Sequence, residues 1–120
     1  MESNSKYLLK QLSNSLNLNY ESQDWGIINA DPNRIEEFIS YYEENNTLHT
    51  TQKFELQELI LASFNDALDE RILSLRVEKF FQDFIIKNRE EMEFQLKYWS
   101  SLNNSKEFPL ADYLAKFLLL

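Results

Sequence analysis

The residues of this chain that could do chemistry are one histidine and three pairs of adjacent glutamates. His49 is not accompanied by a Gly-x-Ser-x-Gly motif, so we predict a capping or surface role for it. The acidic pairs are Glu36-Glu37, Glu43-Glu44 and Glu90-Glu91. Neighbouring residues of a helix point about 100° apart, and no Glu-x-x-His motif completes a metal site. We therefore predict no catalytic, cofactor-binding or metal-binding residues, and a protein that is not an enzyme.

Composition excludes further classes of function. The 120 residues include one Gly and no Cys, which excludes a glycine-rich phosphate loop and thiolate chemistry. Twenty acidic residues oppose twelve basic ones, and a net charge of -8 argues against nucleic acid as a partner. Uninterrupted apolar runs such as residues 59–62 are far shorter than the roughly 20 residues of a membrane span. With a polar N-terminal stretch that does not resemble a signal peptide, the chain is expected in the cytoplasm, without membrane contact.

Hydrophobic periodicity predicts an all-α fold, with five or six antiparallel helices joined by short loops in a single domain over residues 1–120. Leucine is abundant and β-branched residues are scarce, which favours helix over strand. The first helix is predicted over residues 5–16, with residues 1–5 frayed. Residues 17–30 are predicted to be a polar connector, in which Trp25 could serve as an anchor or as a surface contact.

Capping signals predict where the later helices begin. Asp31-Pro32 is a start signal, because Asp accepts backbone N–H groups there and Pro suits the first helical position. The next helix is expected to begin near Thr50 and, because its apolar stripe is wide, to pack on two sides. Asn88 with Glu91 resembles a capping box, and Pro109 is predicted to open the last helix. Asn103-Asn104-Ser105 is predicted to be a turn.

Aromatic spacing predicts the core. Phe80, Phe81 and Phe84 have the spacing of a buried helix face, and Tyr98-Trp99 is expected to be buried as well. The apolar tail Leu118-Leu119-Leu120 must either dock on the core or stay exposed as an adhesive end.

The negative charge is concentrated in one third of the sequence. Residues 20–60 contain nine acidic residues, opposed by Arg34 and Lys53 alone. In the helix predicted after Asp31, Tyr41 lies off the apolar stripe with carboxylates one turn away on both sides. The predicted partner-binding residues are Glu36, Glu37, Tyr41, Glu43 and Glu44. The alternative is a solvated acidic face, with Tyr41 packed sideways on a neighbouring helix.

Residues 24–68, DWGIINADPNRIEEFISYYEENNTLHTTQKFELQELILASFNDAL, resemble small bacterial immunity proteins that pair with secreted polymorphic toxins. A Trp-containing lead-in, an Asp-Pro-x-Arg helix ending in two tyrosines and a Leu-rich helix carry the resemblance. Tyr98-Trp99 and Phe108-Pro109 fit it too. The resemblance implies a protein that neutralises a toxin by stoichiometric binding and does no chemistry of its own.

Three hypotheses follow from these observations. The first is a toxin-neutralising immunity protein whose acidic helical face binds a basic toxin such as a nuclease. For this hypothesis a monomer is favoured over a homodimer. The second is a non-catalytic regulatory or scaffold module that could be a homodimer, through its apolar tail or through the wide apolar stripe of the helix predicted to begin near Thr50. The third is a small helical enzyme whose carboxylates assemble in space, which would require a deep pocket with two convergent acids.

Overall fold

Seven helices make up the described part of the chain, residues 2–102 and 107–119 of a computed structural model. They are α1 (Glu2–Leu16), α2 (Trp25–Ile28), α3 (Ile35–Glu44), α4 (Thr50–Glu70), α5 (Leu75–Asn88), α6 (Glu93–Ser100) and α7 (Pro109–Phe117). These residues contain no strand, which confirms the all-α prediction. The number of helices is one more than the upper predicted number of six. Residues 2–5, where a frayed end is predicted, belong to α1. The predicted turn Asn103-Asn104-Ser105 lies outside the described residues.

Helix α4 lies at the centre of the fold, because apolar side chains cover more than one of its sides. Leu59 and Ile60 of the predicted stripe are fully buried, and Leu61, which widens that stripe, is equally buried. α4 contacts α1, α2, α3 and α7, which confirms the prediction of a helix packed on two sides. Neither α4 nor any other helix in the described part of the chain is long and apolar enough to cross a membrane.

His49 caps the N-terminus of α4, as its position predicts. Its Nδ1 accepts the backbone N–H of Thr51 at 3.1 Å, and its own backbone N–H donates to Oε1 of Gln52 at 3.0 Å. This reciprocal arrangement is a capping box, which satisfies two backbone donors that the helix leaves unpaired. The geometry therefore assigns this histidine to helix capping.

The segment predicted as a polar connector, residues 17–30, contains α2, whose first two residues, Trp25 and Gly26, are buried. Trp25 is only 1% exposed, and its indole Nε1 donates to Oγ of Ser13 in α1 at 2.7 Å. Gly26 lies so close to α4 that a Cβ atom on it would stand 2.7 Å from the backbone nitrogen of Leu59. The connector prediction is therefore wrong for α2, since tryptophan and glycine dock this segment against α1 and α4.

Two predicted helix starts are wrong, because both polar side chains bond differently. Asp31 Oδ1 accepts the N–H of Asn33 in a local turn, and α3 begins four residues after Asp31, at Ile35. Asn88 is the last residue of α5, where its side chain donates to the Phe84 carbonyl, and α6 begins only at Glu93. Short polar side chains cap helices and close turns equally well, so an Asp or Asn in the sequence does not by itself fix where a helix begins.

Aromatic stacking joins α5 to the central helix. Phe64 of α4 and Phe81 of α5 stack with their ring centroids 3.7 Å apart, and both side chains are fully buried. Phe84 is also buried, as predicted, whereas Phe80 is half-buried under the guanidinium of Arg76. The helix also packs against α3, so it closes the side of the core formed by α3 and α4.

The C-terminal leucines divide between core and solvent. Leu118 is buried, and its carbonyl accepts a hydrogen bond from Arg89 Nη2 at 3.1 Å. Leu119 is 90% exposed, and Leu120 lies outside the described residues. One predicted residue of the tail thus docks, while the next stays on the surface.

Candidate functional site

Most glutamates of the acidic face of α3 form ion pairs with basic side chains. Three of its four predicted glutamates form ion pairs: Glu36 with Arg76, Glu37 with Arg34 and Glu43 with Lys87. The first two pairs have two hydrogen bonds each, between 2.7 and 2.9 Å, and these bonds lower the pKa of Glu36 and of Glu37. Exposed ion pairs contribute about 0.2 to 1 kcal/mol, so a partner's charges can compete with them.

The five predicted partner-binding residues do not form one surface. Glu36 and Glu43 lie toward α5, whereas Tyr41 is half-buried and lines a cleft of about 300 Å³ toward α1 and α4. Its ring packs against the core, which favours the alternative of a Tyr41 packed sideways on neighbouring helices. Within the described residues, Glu44 is exposed and has no ion pair, so it keeps its charge free.

A second acidic region lies between α2 and α4, outside the predicted site. A cleft of about 120 Å³ there is lined by Asp24, Gly26, Ile27, Phe54, Glu55 and Glu58. None of its three carboxylates has an ion pair within residues 2–102 and 107–119. Asp24 precedes α2 in the left-handed conformation, with φ 53°, and its carboxylate caps no backbone N–H. This cluster therefore differs from Glu36, Glu37 and Glu43 of α3, because its carboxylates have no ion pair among the described residues.

The electrostatics of this cleft are unfavourable to its own carboxylates. Burial raises the pKa of Glu55, and the nearby charges of Glu58 and Asp24 raise it further. Burial also raises the pKa of Glu58, against the effect of two hydrogen bonds that its Oε2 accepts, from Trp99 Nε1 at 3.0 Å and from Gln95 Nε2 at 3.2 Å. Carboxyl groups with raised pKa values and no cation nearby favour the approach of a positive group.

Exposed apolar side chains lie around the same cleft. Ile27 is 51% and Phe54 44% exposed, although both line it. The side chain of Gln95 in α6 donates to the Phe54 carbonyl at 3.2 Å, which places α6 beside this part of α4. Phe94 and Tyr98, one turn apart on α6, are 80% and 57% exposed, so the prediction of a buried Tyr98 is wrong.

We call the lining of this cleft the acidic–aromatic surface, and its members are Asp24, Ile27, Phe54, Glu55 and Glu58. Helix α6 borders it through the hydrogen bonds of Gln95 and Trp99 to Glu58. Asp24, Glu55 and Glu58 are among the nine acidic residues counted in residues 20–60. The site predicted from the sequence is on α3 instead, because more carboxylates lie close together there. A weak signal was present: Glu55 and Glu58 are three residues apart beside Phe54, off the apolar stripe of α4.

Outside this surface, the titratable Tyr113 joins two helices. Within residues 2–102 and 107–119, no group of three His, Cys, Asp or Glu side chains is placed to hold a metal ion. Tyr113 donates its hydroxyl to Glu78 at 2.8 Å and accepts from Gln82 at 2.8 Å, and burial raises its pKa to about 12. At neutral pH this hydroxyl keeps its proton, so it joins α5 to α7 and does not act as a base.

Replacing Glu58 with glutamine should change how stability depends on pH. Because the folded chain raises the pKa of Glu58, its contribution to stability is present below the ordinary carboxyl pKa and decreases as pH rises through the folded pKa. The Glu58→Gln variant should match the wild type in acid and exceed it in free energy of unfolding toward pH 7. Urea unfolding across this range tests this, with Glu44→Gln as the exposed control, and a constant difference at all pH values contradicts it.

Comparisons with known proteins identify no family for this chain. No protein-family model, no curated protein sequence and no solved structure matches it. The resemblance of residues 24–68 to immunity proteins therefore stays a prediction from the sequence. The functional conclusion depends on the surfaces described above and on their charges.

Proposed function

We propose that this chain is a bacterial immunity protein that binds a basic protein toxin in the cytoplasm and neutralises it without catalysis or a cofactor. The observation that carries the proposal is the surface charge: Asp24, Glu55, Glu58 and Glu44 have no cationic partner among the described residues. Three of these four carboxylates adjoin exposed apolar side chains. Carboxylates beside aromatic side chains are a typical pattern for binding a basic protein.

Inhibition in this proposal is occlusion in a one-to-one complex. A specific interface of ordinary size buries about 800 Å² on each partner, roughly a tenth of the 7493 Å² surface of this chain. The negative field of residues 20–60 steers the toxin toward the complex, and the buried apolar contacts slow its dissociation. A nuclease suits this mechanism, because the basic surface that holds its polyanionic substrate would also attract these carboxylates.

The direct test is binding to the C-terminal toxin domain that, under this proposal, is expected to be encoded immediately upstream of this protein. We expect a stable one-to-one complex in size-exclusion chromatography with light scattering, and recovery of growth when both proteins are expressed together. An affinity that weakens strongly as salt rises would support charge recognition. The proposal is overturned if the purified toxin domain forms no complex and co-expression does not restore growth.

Reversing charge on α3 should slow the formation of that complex. The variant Glu37→Lys with Glu44→Lys replaces two carboxylates of the predicted site by ammonium groups. We expect the association rate at low salt to fall about tenfold, with a smaller change in the dissociation rate. Surface plasmon resonance at several salt concentrations measures both rates.

The matched control for this variant is Asp83→Lys with Asp112→Lys. It makes the same change in net charge on exposed carboxylates of α5 and α7, each paired with a lysine one turn away. A control variant that slows association as much as the α3 variant would show an effect of total charge alone. Unchanged rates in the α3 variant would remove α3 from the binding surface.

A homodimeric scaffold module is the second candidate, and the exposed side chain of Leu119 favours it. Leu119 is 90% exposed beside a groove of about 490 Å³ lined in part by Ile86 and Leu118. In such a dimer, Leu119 of each copy would enter the groove of the other. The mass in solution distinguishes the two candidates: a dimer that dissociates in the Leu119→Ser variant supports the scaffold, and a monomer at high concentration rejects it.

A further inference from the structure

The cleft in the acidic–aromatic surface has the size and chemistry of a site for one side chain. Its volume is about 120 Å³, well below the roughly 300 to 1,000 Å³ of pockets that bind drug-sized ligands. Its lining combines three carboxylates with Phe54 and Ile27, and none of these carboxylates has an ion pair among the described residues. A positively charged side chain with apolar character is the ligand that such a lining would stabilise.

We propose that this cleft binds an arginine side chain of a basic partner protein, with the guanidinium between Glu55 and Phe54. The identity of that partner as a toxin rests on the proposed function above. Ile27, which lines the cleft and is half-exposed, contacts the residues beside the arginine. The occupant is thus an arginine-bearing segment of a protein.

The geometry favours arginine over lysine. A guanidinium is planar, stacks on an aromatic ring and donates two parallel hydrogen bonds to a carboxylate. Phe54 supplies a half-exposed ring, and Glu55 lies next to it in the sequence with no hydrogen bond to its carboxylate from the described residues. An ammonium group would use the charge but not the planar surface of Phe54.

Glu58 is held in place for this role by the helix opposite. Its Oε2 accepts hydrogen bonds from Trp99 Nε1 and Gln95 Nε2, both from α6, whereas Oε1 receives none from the described residues. The carboxylate therefore does not need to reorient when a donor arrives, which reduces the entropy cost of binding. Asp24 is equally available, because its carboxylate does not cap α2.

The test is a titration followed by ¹H–¹⁵N NMR, with N-acetyl-arginine amide as the probe. Gly26 is the only glycine and lines the cleft, and the indole N–H of Trp99 is bonded to Glu58, so both signals report on the site. Trp25, bonded to Ser13, is the internal control. We expect the first two signals to shift with a dissociation constant on the order of 1 to 10 mM, typical of so small a ligand, while the Trp25 indole stays unchanged.

Matched probes separate charge from shape. N-acetyl-citrulline amide has nearly the shape of the arginine probe without its charge, and N-acetyl-lysine amide has the charge without the planar group. We expect citrulline to bind at least about tenfold more weakly than arginine, and lysine about threefold more weakly. Equal shifts with all three probes, equal shifts with calcium chloride, or no shift at Gly26 would each overturn the proposal.

Variants locate the site. Glu55→Gln and Phe54→Ala should each weaken binding of the arginine probe by about three- to tenfold, since one removes a charge and the other an aromatic ring. Glu44→Gln and Ile86→Ala alter an exposed carboxylate and an exposed apolar residue elsewhere, and should leave binding unchanged. The spectra also verify that every variant is folded. Equal affinity in all four variants would overturn the assignment.

The same variants separate this inference from the proposed function. If Glu55→Gln and Phe54→Ala bind the toxin domain as tightly as the wild type, the chain is an immunity protein that uses another surface, and the arginine site is rejected. If the arginine probe binds at the cleft while no toxin complex forms, the site stands and the toxin as partner is rejected.

Discussion

Substituting alanine for Trp25 should lower the free energy of unfolding by about 3 to 5 kcal/mol, the usual range for removing a buried large aromatic side chain. The indole is 1% exposed and lies between α1 and α4 as part of a four-residue helix. So short a helix has no independent stability, and packing of Trp25 is what holds it in place. Urea unfolding followed by far-ultraviolet circular dichroism measures the loss without relying on tryptophan fluorescence.

Two control variants test whether the loss comes from the hydrogen bond of Trp25 and from its burial. Trp25→Phe keeps an aromatic ring but loses the hydrogen bond to Ser13 Oγ, so a smaller loss of about 1 to 2 kcal/mol is expected. Tyr7→Ala removes an exposed aromatic ring from α1 and should change stability by no more than about 0.5 kcal/mol. A loss below about 1 kcal/mol in Trp25→Ala would mean that α2 is not part of the core.

The helices with clear periodicity could be predicted from the sequence. Ile35, Phe38, Ile39 and Tyr42 repeat at the spacing of one helix face, and all four are buried where α3 packs. The same rule predicted the breadth of contact of α4, because a helix with apolar side chains on several sides must be covered on several sides. Hydrophobic spacing succeeds here because burial is the dominant free-energy term in folding.

Short segments and helix boundaries were less predictable, because they depend on partners distant in sequence. α2 is too short to show a period, and Trp25 becomes a core residue only when Ser13 and α4 meet it. The backbone N–H of Asp31 donates to Ser63 Oγ at 3.0 Å, 32 residues away, which holds this residue in the turn before α3. Capping propensity alone contains no information about such contacts.

Much the same limit applies to the candidate site. The concentration of acid in residues 20–60 is visible in the sequence, but which carboxylates remain free is not. Arg76 and Lys87, the partners of Glu36 and Glu43, lie 40 or more residues further along the chain. The packing of α5 on α3 thus pairs two of the four predicted glutamates, while the carboxylates around α2 have no ion pair among the described residues. Tertiary structure, and not local charge, decides which carboxylates stay without an ion pair.

Replacing Gly26 with alanine should lower the free energy of unfolding by about 1 to 3 kcal/mol, a typical cost of overpacking. A Cβ atom there would stand 2.7 Å from the Leu59 backbone nitrogen and 3.0 Å from the carbonyl carbon of Glu58. Both atoms belong to the backbone of the central helix, which cannot move aside as a flexible side chain could. Alanine is about 1 kcal/mol better than glycine within a helix, but the steric term exceeds this gain.

The functional consequence of Gly26→Ala follows from the same contact. If α2 moves away from α4, Asp24 and Ile27 move away from Glu58, and the cleft between them widens. The arginine probe should then bind several-fold more weakly to Gly26→Ala, even under conditions where this variant is fully folded. The control is Ile28→Ala, which changes an exposed residue of the same helix and should leave both stability and binding close to wild type. A Gly26→Ala protein that is more stable than the wild type would show that helix propensity outweighs the close approach. In that event α2 would not be held against α4 as closely as the cleft requires.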